Sequence, residues 1–104
     1  MSGLTAGPTP QSYREHMEDA RVLSTFVQDG RIVTMPTRRA KRLVVLDHVA
    51  QSFEPGRTYP EVEVNDVLRT FHEDVAALRR YPVDEGFLTR EANVYWRTGG
   101  TVPV

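Results

Sequence analysis

From Glu61 onward, Val64, Val67, Leu68 and Phe71 fall three and four residues apart, the spacing of one apolar helical face. His72-Glu73 breaks that beat, and Asp74 is a good N-cap for a second helix whose face begins with Val75 and Leu78. Pro82 cannot donate a backbone N–H, so this helix is expected to kink or finish between Arg80 and Asp84, with Gly86 closing it. Phe87 to Glu91 and Val94 to Arg97 then alternate polar and apolar residues. They predict a two-stranded ribbon turning at Ala92-Asn93, where asparagine tolerates positive φ.

Upstream the pattern is looser. Met1 to Gln11 has no period, carries two prolines, and reads as a flexible tail. Ser12 and Glu15 have the spacing of a capping box, followed by a helix with Met17, Ala20, Leu23 and Val27 on one face and Phe26 beside them. Asp29-Gly30 is expected to stop that helix, and Arg31 to Met35 to form a short strand halted by Pro36. Thr37 is the expected N-cap of a helix over Arg38 to about Ser52, with Leu43, Leu46, Ala50 and Phe53 at helical spacing. Glu54-Pro55-Gly56 reads as a turn, Thr58-Tyr59 as a short strand, and Pro60 as the first turn of the next helix.

Helix, turn, helix and ribbon in that order predict an α+β fold: a winged helix-turn-helix, with a three-helix core, a small β-hairpin, and an extra N-terminal helix and short strand. The expected division is a tail over 1–11, the N-terminal helix and strand over 12–35, the winged-helix core over 36–97, and a frayed tail over 98–104, all in one domain.

Composition narrows the functional classes. Of 104 residues 39% are hydrophobic and 26% charged, which suits a globular domain. There is no apolar run long enough to span a bilayer, and MSGLTAGPTP lacks the features of a secretory signal. With no cysteines, a cytoplasmic location is the expectation. The net charge of -1 is unlike that of a strong polyanion binder, but residues 38–57 hold five basic and two acidic groups.

Those cations are the candidate chemistry. Arg38, Arg39, Lys41 and Arg42 sit in the first turn of a predicted helix, where free N–H groups and the helix dipole would add to a phosphate site. The competing reading pairs them with an internal acid such as Asp74, Glu61 or Glu63. Arg79 and Arg80 lie on the helix that would enter the major groove, although that helix opens with Glu73-Asp74, the wrong sign for phosphates. Either arginine could instead pair with Asp74 or Asp84 one turn away. Arg90, Asn93 and Arg97 fall on the ribbon, and Tyr95-Trp96 is expected to split, one ring in the core and one partly exposed. His16, His48 and His72 lack metal-ligand spacing, and no phosphate-loop signature exists, so neither a cofactor nor an enzyme activity is expected.

Several segments together resemble an uncharacterised bacterial family, domain of unknown function 2087. They are Phe53-Glu54-Pro55-Gly56-Arg57, Glu63-Val64-Asn65, Phe71-His72, Leu78-Arg79-Arg80, Val83-Asp84 and Tyr95-Trp96-Arg97, with Gly30-Arg31 and Met35-Pro36 upstream. The resemblance spans roughly residues 20–97. It implies a transcription-related setting, since members are sometimes appended to helix-turn-helix regulators, but it carries over no catalytic residues. Family members usually have leucine where this chain has Pro82. The expected function is thus a DNA-binding, transcription-related accessory protein that contacts double-stranded DNA phosphates through Arg38, Arg39, Lys41 and Arg42, supported by Arg79, Arg80 and Arg97. The alternative is a protein-interaction module of the same fold, forming a homodimer or docking on a partner regulator without touching DNA.

Overall fold

The structure, a computed structural model, describes residues 10–101, with side chains from Met17 onward. Among the described residues, four helices and two small antiparallel sheets make an α+β fold, compatible with a winged-helix-like arrangement. The expected tail over 1–11 lies outside the described residues except for Pro10 and Gln11, which open the first helix.

Helix α1 spans Pro10–Phe26, so it begins two residues before Ser12; the side chains of the predicted capping box lie outside the described ones. It stops sooner than expected. Val27–Gln28 (β1) pairs with Arg31–Ile32 (β2) across Asp29-Gly30, whose φ values of 53° and 77° form a two-residue hairpin turn. The predicted strand to Met35 is cut to two residues. Val22, Phe26, Val27 and Met35 pack against the core without being fully buried.

Helix α2, Arg39–Ala50, supplies the centre: Val45, Leu46, Val49 and Ala50 are all at most 1% exposed. It leads through Phe53 to β3 (Thr58–Pro60), where Phe53 and Tyr59 meet edge to face at 5.0 Å. Helices α3 (Glu61–Arg69) and α4 (Val75–Asp84) form the predicted pair, and both Leu68 and Leu78 join the core. Asp74 caps α4 as expected, its Oδ1 accepting from the N–H of Ala77 at 3.1 Å, a contact worth ~1 kcal/mol.

Helix α4 finishes at Asp84, within the range expected from Pro82, which is buried in its last turn. The end is a Schellman closure: Phe87 N–H donates to Pro82 O at 2.8 Å, Gly86 N–H to Val83 O at 3.2 Å, and Gly86 takes φ +83°.

The ribbon is β4 (Leu88–Glu91) and β5 (Val94–Arg97), joined at Ala92-Asn93. The residue with positive φ there is Ala92, at 54°, and not Asn93 as expected. Strand β3 pairs with β5, with Tyr59 opposite Tyr95, so the sheet order is β3-β5-β4. In the segment expected to fray, residues 98–101 are hydrogen-bonded to the body of the fold, and 102–104 lie outside the described residues. Thr98 and Gly99 N–H groups donate to Phe87 O, while Thr101 donates through its N–H and hydroxyl to the two carboxylate oxygens of Asp47 at 2.7 and 2.9 Å. Gly99 is needed for this return, since a Cβ there would sit 2.5 Å from the carbonyl oxygen of Gly86.

Candidate nucleic-acid interface

The start of α2 gathers four cations, and the fold divides them into two pairs. Thr37 does not cap the helix. Arg38 occupies the cap position with extended backbone and no side-chain cap, and the carbonyl of Thr37 accepts from Arg42 Nη1 at 3.1 Å. Arg39 grips Glu85 with both arms of its fork, Nη2 to Oε1 at 2.7 Å and Nε to Oε2 at 3.0 Å. Arg42 lies 4.0 Å from the same carboxylate and over the ring of Tyr81 at 5.3 Å; its buried Nε has no hydrogen-bond partner among the described residues. An internal acid therefore does hold half of the basic run, but it is Glu85, at the C-cap of α4, and not Asp74, Glu61 or Glu63.

The pairing shows in the protonation equilibria. Hydrogen bonding to Glu85, then its charge, raises Arg39 above the ordinary arginine value. The same hydrogen bond lowers Glu85 below the usual carboxylate range, against a smaller opposing effect of desolvation.

Arg38 and Lys41 make no ion pair among the described residues and stay exposed. They line one side of an open cleft of about 500 Å³ between α2 and α1, whose other wall carries Glu18, Asp19 and Arg21 above Val22 and Phe26. A phosphate approaching Arg38 and Lys41 would therefore also approach two carboxylates.

On α4 the two arginines differ. Arg79 is drawn onto α3: its Nη1 donates to Asn65 Oδ1 at 2.7 Å and its Nε lies 3.2 Å from Glu61 Oε1, so neither Asp74 nor Asp84 is its partner. Tyr95 donates its hydroxyl to the same Glu61 oxygen at 2.8 Å. Burial, followed by that hydrogen bond, raises the Tyr95 phenol above its ordinary value. Arg80 is exposed, 5.8 Å from the Tyr81 ring centroid. The exposed positions around α4 are Glu73, Asp74, Ala76, Arg80 and Asp84, three carboxylates against one guanidinium.

Arg97 is not a surface contact. It is 8% exposed, and its guanidinium donates to three backbone carbonyls: Phe53 at 3.2 Å, Gly99 at 3.0 Å, and Thr101. Strand alternation explains the placement. Arg97 shares a face with the buried Tyr95 two residues away, while Trp96 points to the other face and is half-buried, the split predicted for the two rings. That period of two, applied to Arg97, was the available signal. No such signal marked Glu85 or Asp47, whose partners lie about half a chain away. Among the described residues no group of three His, Cys, Asp or Glu side chains converges as a metal site, and His72 instead accepts from the N–H of Asp74 through Nδ1.

Residues 31–97 match a family described as an uncharacterised protein conserved in bacteria, domain of unknown function 2087. The match begins at β2, so α1 and β1 precede it, and it includes all seven candidate cations. No curated protein and no solved structure matches the chain.

Proposed function

For this chain, which belongs to the bacterial DUF2087 family, we propose a protein-interaction module built on a winged-helix fold, without direct DNA contact and without a catalytic step. The fold assignment is supported by topology. A strand lies between the first and second helices of the α2–α3–α4 core and pairs with the last strand, giving the order β3-β5-β4 with the ribbon as wing. A winged-helix scaffold does not itself dictate a ligand, so the site decides.

The observation that carries the reading is the destination of the cations. Arg42, Arg79 and Arg97 are committed to internal partners, Arg39 is forked on Glu85, and the helix that would enter a groove presents three carboxylates beside Arg80. A duplex backbone is a continuous row of negative charge, and a surface of mixed sign is poorly matched to it. Mixed-sign surfaces with half-buried aromatic and aliphatic groups, such as Trp96, Val22 and Phe26, suit a protein partner.

Titration of the protein onto random duplex DNA in about 50 mM salt tests this. No retention is expected. Binding that weakens steeply as salt rises would overturn the reading and restore Arg38, Lys41 and Arg80 as phosphate contacts.

A further inference from the structure

Between α4 and the ribbon lies a notch of about 310 Å³, separate from the basic start of α2. Three arginines line it, Arg79 and Arg80 from α4 and Arg90 from β4, with Asp84 as the single acid among its lining residues. Ala76, Val83 and the ring of Tyr95 supply apolar wall between the charges. In a chain of net charge -1 this is a local excess of positive charge in a concave site.

The notch is braced from behind. Asn65 and Glu61 hold Arg79 through Nη1 and Nε, and Tyr95, 1% exposed, directs its hydroxyl to Glu61. Arg90 is fixed at one point only, Nε donating to Ala92 O at 2.8 Å, with its guanidinium 5.8 Å from the Tyr95 ring centroid. Among the described residues no hydrogen bond uses the guanidinium of Arg80 or either Nη of Arg90. Arginine forks lining one notch, with donor capacity left over, suit a planar carboxylate.

We propose that this notch receives the carboxylate of a glutamate or aspartate side chain from a partner protein. The assignment rests on the protein-interaction reading above and gives that partner a chemistry. A nucleic-acid backbone fits less well because Glu73 and Asp74 lie exposed at the start of α4 and Asp84 sits at the notch itself. A polypeptide can place one carboxylate among the arginines and set neutral or basic residues against those acids, with an aliphatic side chain on Val83 and Tyr95.

The test follows the arginine Nε–Hε signals of the full chain, labelled with ¹⁵N, during titration with an N-acetylated, C-amidated Glu-Leu-Glu tripeptide. Saturable shifts are expected at Arg79 and Arg90, and the Gln-Leu-Gln counterpart should bind about tenfold more weakly or worse. Arg80→Gln and Arg90→Gln, both at exposed positions, should each weaken the glutamate peptide about tenfold while the backbone spectrum stays dispersed. Equal shifts from the two peptides, or none from either, would overturn the notch assignment while leaving the interaction reading standing. Larger shifts at the same arginines from duplex DNA at physiological salt would overturn both.

Discussion

The α3–α4–β5 region buries Val64, Leu68, Leu78 and Tyr95 to 2% exposure or less, whereas α1, the longest helix, has no buried side chain among those described. Both regions are helical and both carry apolar residues, so propensity and amphipathicity do not separate them. What separates them is how many elements surround each side chain. Leu68 and Leu78 sit in the same core as Val45 and Val49 of α2 and Leu88 and Tyr95 of the sheet, while α1 lies along α2 with Val22, Leu23 and Phe26 half-covered and Met17 43% exposed. Helices in proteins draw most of their stability from packing, so the matched family span should hold most of the folding free energy.

Truncation in the two regions puts that contrast to its hardest test. Leu68→Ala or Leu78→Ala should each cost roughly 2–5 kcal/mol, because each leaves a cavity that rigid neighbours cannot fill. Leu23→Ala on α1 should cost under about 1 kcal/mol, as half-covered sites usually do. Denaturant midpoints at unchanged slope measure both. Similar losses at Leu23 and Leu68 would mean that α1 is part of the core and that the division drawn here is false.

Arg97 sharpens the comparison, since it is a charge in the densely packed region. Its guanidinium ties Phe53, Gly99 and Thr101 together, and Asp47 of α2 and Gln51 at its C-cap also hold Thr101. Arg97→Gln should cost about 2 kcal/mol, because the buried Phe53 carbonyl and two partly buried ones lose a charged donor. The loss should come with faster amide exchange at Thr98 and Gly99, whose N–H groups donate to Phe87, than at the β1–β2 turn. Unchanged stability would place the side chain in solvent and return it to the pool of surface cations.

The same contrast governs what the residues alone revealed. The α3–α4 pair, its Asp74 cap, the Gly86 closure and the Tyr95/Trp96 split were legible, because each depends on neighbours within one or two turns. Asp29-Gly30 was expected only to stop a helix, whereas it forms the two-residue turn of the β1–β2 hairpin, a role that its Asp-Gly sequence also suits. Arg97, expected at the surface because of its charge, instead follows its alternation with Tyr95 into the interior. Glu85 as the partner of Arg39 and Arg42, and Asp47 as the anchor of Thr101, could not be read from spacing. The Arg39–Glu85 and Asp47–Thr101 contacts join residues separated by 46 and 54 positions, and only the packing of α2 against α4 and the returning C-terminal segment creates them.

The smallest expected effect belongs to the Arg39–Glu85 pair, which joins the start of α2 to the end of α4. Arg39 keeps 67% of its side-chain surface exposed, so solvent and salt weaken the attraction even though Glu85 is mostly covered. The sign is nonetheless fixed. Glu85 is held below the usual carboxylate range in the folded protein, chiefly by its hydrogen bond to Arg39, so the unfolded chain takes up that proton first as pH falls. The contribution is therefore fully present above the ordinary glutamate range. It is lost as pH drops through that range toward the lowered folded value. Glu85→Gln should flatten this part of the stability–pH curve, and the difference from the parent protein should shrink in molar salt. A wild-type curve with the same slope as that of Glu85→Gln would show that the fork between α2 and α4 contributes nothing in solution, and would leave Arg39 as free for an external anion as Arg38 and Lys41.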